Sequence, residues 1–92
     1  MSDDLDDRFN AAKKAVEKLP ERPDNEALLR LYALYKQAVV GDIEGKRPGL
    51  LDFAGGAKFD SWAKLKGTSQ EQAKRAYIDY VAQLQREAES NR

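Results

Sequence analysis

Residues 26–42 read Glu-Ala-Leu-Leu-Arg-Leu-Tyr-Ala-Leu-Tyr-Lys-Gln-Ala-Val-Val-Gly-Asp, and at helical spacing their apolar side chains cover roughly twice the arc that one buried face requires. At about 100° per residue, Ala27, Leu31, Leu34 and Ala38 share one stripe, while Leu28, Leu29, Tyr32, Tyr35, Lys36 and Val39 form a second beside it. The first stripe reads as core. The second is apolar but carries two phenols and an ammonium, a mixture that suits a ligand with an apolar part and an anionic part better than a dry interior. A central helix packed on two sides, with its hydroxyls and lysine head reaching water, produces the same periodicity. Pattern alone leaves both readings open.

A chain of 92 residues makes one small domain, here residues 1–92, with a single modest core. Sixteen basic and sixteen acidic residues cancel, so no global field draws the protein to nucleic acid or an anionic membrane, and neither is expected as a partner. Charge is grouped locally: Asp3, Asp4, Asp6 and Asp7 precede Lys13, Lys14 and Lys18, and Lys58, Lys64 and Lys66 gather later. The chain has no cysteine, which removes disulfides, thiolate metal sites and cysteine nucleophiles and fits a reducing compartment. It has no histidine either, so the commonest general base and metal ligand is missing. The remaining Asp, Glu, Lys and Tyr show no paired-carboxylate spacing, nucleophile elbow or Walker-type glycine loop. The expectation is therefore a protein without catalytic residues, metal or cofactor. No run approaches the ~20 apolar residues that span a bilayer, and the opening Met-Ser-Asp-Asp has no basic-then-apolar signal character, so a cytoplasmic protein without membrane insertion is expected; a monomer is a separate expectation.

Recognisable breakers divide the chain into four predicted helices at about 3–19, 24–40, 55–65 and 69–88. In the first, Leu5, Phe9, Ala12, Val16 and Leu19 recur at intervals of three and four, aspartates sit at the positive end of the macrodipole, and Pro20 ends the run. Asp24 or Asn25 caps the second, which closes at Gly41, where a left-handed residue is wanted. Residues 42–52 hold Gly45, Pro48 and Gly49 without a sustained period and read as a long loop, which permits two helices to run parallel. The third helix follows the flexible pair Gly55-Gly56, carries Phe59, Trp62 and Ala63 as its contacts, and stops at Gly67. Thr68 with Glu71, or Ser69 with Gln72, supplies a capping box for the fourth, whose Ala73, Tyr77, Tyr80, Val81, Leu84 and Ala88 hold one face. An all-α bundle follows.

The string Leu31-Tyr32-Ala33-Leu34-Tyr35-Lys36-Gln37-Ala38, with Gly41-Asp42 behind it, the loop Arg47-Pro48-Gly49-Leu50-Leu51-Asp52-Phe53, and Ala57-Lys58-Phe59-Asp60-Ser61-Trp62 with Gly67-Thr68-Ser69 resemble the acyl-CoA-binding protein family. The resemblance runs from about Leu5 to Leu84, taking in Phe9, Val16, Leu19, Ala76, Tyr77, Ile78 and Val81. It implies a four-helix up-down-down-up bundle that binds one medium- or long-chain fatty acyl-CoA without chemistry and acts as an intracellular carrier. The family's nucleotide-contacting positions fall on Tyr32, Tyr35, Lys36, Lys58 and Tyr77. Lys36 and Lys58 then offer charge-assisted hydrogen bonds to the 3′-phosphate with the Tyr32 hydroxyl as a neutral donor, Tyr35 stacks on adenine, and Tyr77 closes the adenosine site. Leu28, Leu29 and Ala57 line the acyl groove, and Ala12, Lys13 and Glu17 are first-helix contacts.

Simpler readings stand beside these assignments. Tyr77 lies on the best apolar stripe and belongs to the core on pattern alone, and Lys58, one turn before Trp62, is an ordinary surface cation near an aromatic ring. Trp62 and the Arg47-Pro48-Gly49 turn are assigned to structure. The chain also departs from the family pattern: Glu17 stands where many members are basic, Ala54 and Gly56 replace lysines, and Phe59 replaces a tryptophan. This thins the positive rim, with Lys13, Lys14 or Lys18 as substitutes. The competing function is a protein–protein interaction module that uses the Leu28, Tyr32 and Tyr35 face as a groove for a partner helix.

Overall fold

The computed structural model describes residues 2–90, so Met1, Asn91 and Arg92 of the expected domain lie outside the described residues, as do the side chains of Ser2 and Asp3. Four helices, α1 (Ser2–Glu17), α2 (Asn25–Val39), α3 (Phe53–Ala63) and α4 (Gln70–Ser90), account for the regular structure. α1 stops two residues short of the expected boundary because the chain tightens there: Lys18 and Leu19 donate to the carbonyls three residues back, Ala15 and Val16, ahead of Pro20. Asp24, rather than Asn25, caps α2, its carboxylate accepting the Ala27 N–H at 2.8 Å. Gly41, at φ +97, ends that helix in the left-handed region and donates to the Lys36 and Gln37 carbonyls. Of the two possible caps for α4, the chain uses Ser69 with Gln72. The Gln72 N–H donates to Ser69 Oγ at 3.0 Å and the Ser69 N–H to Gln72 Oε1 at 3.1 Å.

The third helix is the one whose start differs in kind. It begins at Phe53, not after a flexible glycine pair, so Gly55 and Gly56 are helical. Asp52 caps it by accepting the Gly55 N–H at 2.9 Å, which holds the first turn despite two residues of poor helix propensity. Gly56 lies under the Arg47 side chain: a Cβ there would come within 2.7 Å of the guanidinium, which would have to swing aside. That guanidinium forks onto Asp60 of α3 at 3.0 Å through both Nε and Nη2, tying the long loop down across the helix.

Side-chain pairings fix the directions of the helices. Asp6 and Phe9 of α1 meet Lys74 and Tyr77 of α4 in step, so α1 and α4 run parallel. Tyr32 meets Lys58, and Gln37 meets Trp62, so α2 and α3 also run parallel. Gln70 at the start of α4 donates to the Ala38 and Val39 carbonyls at the end of α2, while Tyr80 lies against Arg30, so α2 and α4 are antiparallel. The result is an up-down-down-up bundle in which α4 packs on α1 and α2, and α2 also packs on α3.

The core gathers where α1, α2 and α4 converge: Phe9, Ala12, Leu31, Leu34, Ala38, Ala73, Tyr77 and Val81 form one cluster. All four residues of the first α2 stripe are buried, Leu31 and Leu34 among them, and each large one contributes about 1.5–3 kcal/mol relative to exposure. The second stripe is not: Leu28, Leu29, Tyr32, Tyr35 and Lys36 are half-buried and Val39 is exposed. α2 thus spends one face on the core and leaves the other accessible.

Candidate functional site

The accessible face of α2 is flanked by α1 on one side and α3 on the other, and a lysine reaches onto it from each. From α1, Lys13 places its ammonium 5.2 Å from the centre of the Tyr35 ring and 5.6 Å from that of Phe9. From α3, Lys58 sits 5.3 Å from the Tyr32 ring centre. Lys36, on α2 itself, reaches across to Trp62 of α3 at 5.4 Å. Beside the site role that the resemblance implies, Lys58 reads in the sequence as an ordinary surface cation one turn before Trp62. The two lysines instead cross over, each resting on a ring of the opposite helix, because parallel packing brings Tyr32 level with Lys58. Among the described residues, none of Lys13, Lys36 and Lys58 makes an ion pair; those present are Arg47–Asp60, Lys74–Asp6 and Arg75–Glu71. Three cations held on aromatic faces, each worth about 0.5–1 kcal/mol at exposed sites, are positioned without being neutralised.

Tyr35 stacks on Phe9 with ring centres 6.1 Å apart and planes 16° from parallel, and Tyr77 meets the same Phe9 edge-on at 5.1 Å. Tyr77 is part of the buried cluster, at 6% exposure. Burial pushes its hydroxyl above the usual phenol value, and the Tyr35 phenol and the Glu17 carboxylate push it the same way. Glu17, one turn beyond Lys13 on α1, is itself exposed. Ala12 belongs to the core cluster rather than to an open surface, whereas Lys13, the next residue, lies half-buried on the rings.

The apolar candidates divide. Leu28 and Ala57 are half-buried on α2 and α3. Leu29 lines a separate groove of about 360 Å³ between α2 and α3, with Ala33, Leu34, Ser61 and Leu65. A cavity of about 500 Å³ lies elsewhere again, between the α1–α2 connection and the second half of α4, lined in part by Leu19, Pro23, Arg30 and Tyr80. Tyr32, Tyr35 and the three lysines of the accessible α2 face line neither of these.

One polar centre supports it from beneath and was missed in the sequence. Gln37 is fully buried. Its Nε2 donates to Asp42 Oδ1 at 2.8 Å and to the Thr68 carbonyl at 2.7 Å, and its Oε1 accepts the Trp62 indole N–H at 3.0 Å. The indole also donates to the Gly41 carbonyl at 2.9 Å, and Asp42 Oδ1 accepts the Gly67 N–H at 2.9 Å. Those contacts hold the Asp42 carboxyl below its usual value, the Gly67 N–H first and the Gln37 amide second. The signal that could have found this hub was Trp62 itself, whose N–H requires an acceptor when its ring is packed, together with Gln37 one turn after the small residue Ala33.

No group of three or more His, Cys, Asp or Glu side chains is placed to hold a metal ion among the described residues, and none of their helices is long and apolar enough to cross a membrane.

The model of the family described as acyl CoA binding protein matches residues 6–81. An acyl-CoA-binding protein homolog of Drosophila melanogaster is 48% identical over 80 residues, covering 87% of this chain and 93% of the relative. The acyl-CoA-binding protein of Saccharomyces cerevisiae is 47% identical over 76 residues, covering 83% and 87%. Among solved structures, the crystal structure of Oryza sativa acyl-CoA-binding protein 2 superposes with a TM-score of 0.90 at 38% identity, over 96% of this chain and 98% of that one. With the matched model reaching into all four helices and relatives near half-identical along most of their length, the chain belongs to the acyl-CoA-binding protein family.

Proposed function

We propose that this protein binds medium- and long-chain fatty acyl-CoA thioesters non-covalently, one per monomer, and carries them in the cytoplasm without acting on them chemically. The observation that carries the reading is the set of three lysines, Lys13, Lys36 and Lys58, brought from three helices onto the rings of one cleft without carboxylate partners among the described residues. An anionic ligand supplies what they lack. In this reading Lys36 and Lys58 take the 3′-phosphate with the Tyr32 hydroxyl as a third donor, and Tyr35 offers its ring to adenine. Tyr77 works from behind, holding Phe9 and through it Tyr35, with its hydroxyl at the adenosine end. Leu28 and Ala57 wall the acyl path, whereas Leu29 lines the separate groove between α2 and α3. A groove for a partner helix would leave the three cations without a purpose.

Titration calorimetry with palmitoyl-CoA, free CoA and palmitate tests the proposal. The ester should bind one-to-one and far more tightly than either half, because both sets of contacts form after a single loss of translational freedom. Affinity should fall with chain shortening by up to about 0.8 kcal/mol per methylene removed from contact. Equal affinity for palmitate and its CoA ester overturns the reading.

A further inference from the structure

We propose that the apolar tip formed by Leu50, Leu51 and Phe53 docks this protein onto the interface of an uncharged lipid bilayer, and that the tip sits at the end of the α2–α3 seam where an acyl chain enters; the second half of the proposal rests on the acyl-CoA reading above. These side chains are 84%, 92% and 80% exposed and stand within four consecutive residues, whereas the other large exposed hydrophobics among the described residues, Val39 and Val40, lie at the far end of α2. Exposed apolar side chains are ordinary when scattered singly, but a contiguous group marks a contact surface. The Asp52 N–H donates to the Gly49 carbonyl at 3.0 Å, closing a turn with Leu50 and Leu51 at its two central positions. Turns are ordinarily built from glycine, proline, asparagine, aspartate or serine, so turn geometry supplies no reason for a pair of leucines. The tip is also held in place. On one side Arg47 is forked onto Asp60, and on the other Asp52 caps α3, its carboxylate accepting the Gly55 N–H at 2.9 Å.

Charge and size select the occupant. Between Arg47 and Lys58 the sole charged residue is Asp52, because Ala54 and Gly56 stand where the family pattern has lysines. The start of α3 therefore offers lipid phosphates no cation, while Arg47 is already paired and Lys58 rests on the Tyr32 ring, so the attraction comes from apolar side chains entering the interface. The contact is interfacial, since none of the described helices is long and apolar enough to cross a membrane. A protein partner or a second copy needs about 800 Å² from each side of a stable interface, and three side chains on one turn offer on the order of a few hundred. A fluid interface requires neither that area nor a matching shape. Position then ties the tip to the cargo. Tyr32 lies against Lys58 and Gln37 bonds Trp62, and the same register carried one turn towards the start of α2 brings Leu28 level with Phe53 and Ala54. Leu28 is the α2 residue assigned to the acyl path, so a protein seated on its tip holds that end of the path against lipid. An acyl chain then passes from one apolar phase to another with little exposure to water.

The experiment uses the intact protein, Leu51→Ser, Leu50→Ser combined with Leu51→Ser, and Val40→Ser as a control for exposed apolar surface elsewhere. Phosphatidylcholine vesicles carrying a spin-labelled lipid are added, and broadening of backbone amide NMR signals locates the contact. Broadening should centre on residues 49–54 and persist at high salt. Partitioning onto the vesicles should fall about tenfold in Leu51→Ser and further in the double variant, with Val40→Ser matching the parent. Melting temperatures and dodecanoyl-CoA affinity measured by calorimetry should stay unchanged in all variants, because the replaced side chains lie outside the core. Uptake of palmitoyl-CoA from such vesicles should quicken with protein concentration for the parent, and for the double variant should level off at the rate at which the ester leaves the bilayer unaided. Broadening spread over the whole surface, broadening that needs anionic lipid and vanishes with salt, or equal partitioning of parent and double variant overturns the proposal while the carrier reading stands. So does a dimer in sedimentation that the double variant loses, which makes the tip a contact between copies. If the parent broadens at the tip but binds no dodecanoyl-CoA, the docking holds, and its link to the cargo falls with the carrier reading.

Discussion

Two neighbouring regions of the α2–α3 seam use the same residue chemistry to opposite ends. Around Gln37, every polar group is answered from within the chain: amide, indole, carboxylate and two backbone carbonyls close on one another, and no buried side-chain nitrogen or oxygen lacks a partner among the described residues. On the adjoining face of α2, around Tyr32, Tyr35 and Lys36, the cations meet only ring faces. Trp62 belongs to both regions, its N–H committed to the hub and its ring offered to Lys36. The difference teaches where to look for function in a small helical domain. A polar group satisfied by its own fold holds the structure together, while one that is positioned but left uncompensated is held for something else.

The comparison breaks most visibly if the hub is not structural. Gln37→Leu leaves the Trp62 N–H with one acceptor fewer and the Asp42 and Thr68 oxygens each without the amide, and should lower stability by about 2–4 kcal/mol. Thermal melts followed by circular dichroism should show the loss, at about 4–8 °C per kcal/mol for a domain of this size. An unchanged midpoint would remove Gln37 from the scaffold.

Lys36→Ala is the complementary probe of the cleft. Acyl-CoA affinity should drop by about 1.5–3 kcal/mol, the range for a hydrogen bond to a charged group, while the melting temperature hardly moves. Were the melt to collapse and affinity to persist, the two regions would have exchanged roles.

A smaller effect is expected at Glu17. Replacing it with lysine should tighten acyl-CoA binding by at most about 1 kcal/mol, with the gain fading as salt rises. Glu89, exposed near the end of α4, is the control. Identical behaviour of Glu17→Lys and Glu89→Lys would reduce the effect to net charge.

The smallest change at neutral pH concerns Asp42. Its folded-state carboxyl is held below the usual 3.8, so it contributes stability that is present above that value and lost as pH falls through the lowered one. Asp42→Asn keeps an acceptor for Gly67 and Gln37 but cannot titrate, so its acid unfolding curve should be flatter than the parent's below about pH 4. Parallel acid limbs would show that the carboxylate is not stabilised by the hub.

By itself the sequence determined the class of fold, the stop and start of most helices and which stripe of α2 would be dry, because these follow from local spacing, capping chemistry and the geometry of proline and glycine. Asp24, Gly41 and the Ser69–Gln72 box act within a few residues of themselves and could be read where they stand. The motifs in α2 and α3 carried the family. What only the tertiary structure decided are the pairings between residues far apart in the chain. Gly55 and Gly56 lie inside α3 because Asp52 caps it ahead of them, and Arg47, held by Asp60, rests against Gly56. Gln37 became a hub only when Thr68 and Trp62, 31 and 25 residues away, closed on it. Lys36 rests on Trp62 and Lys58 on Tyr32 for the same reason: which lysine rests on which aromatic depends on the register of two parallel helices, and that register is set by packing across the seam, not by the spacing along either helix.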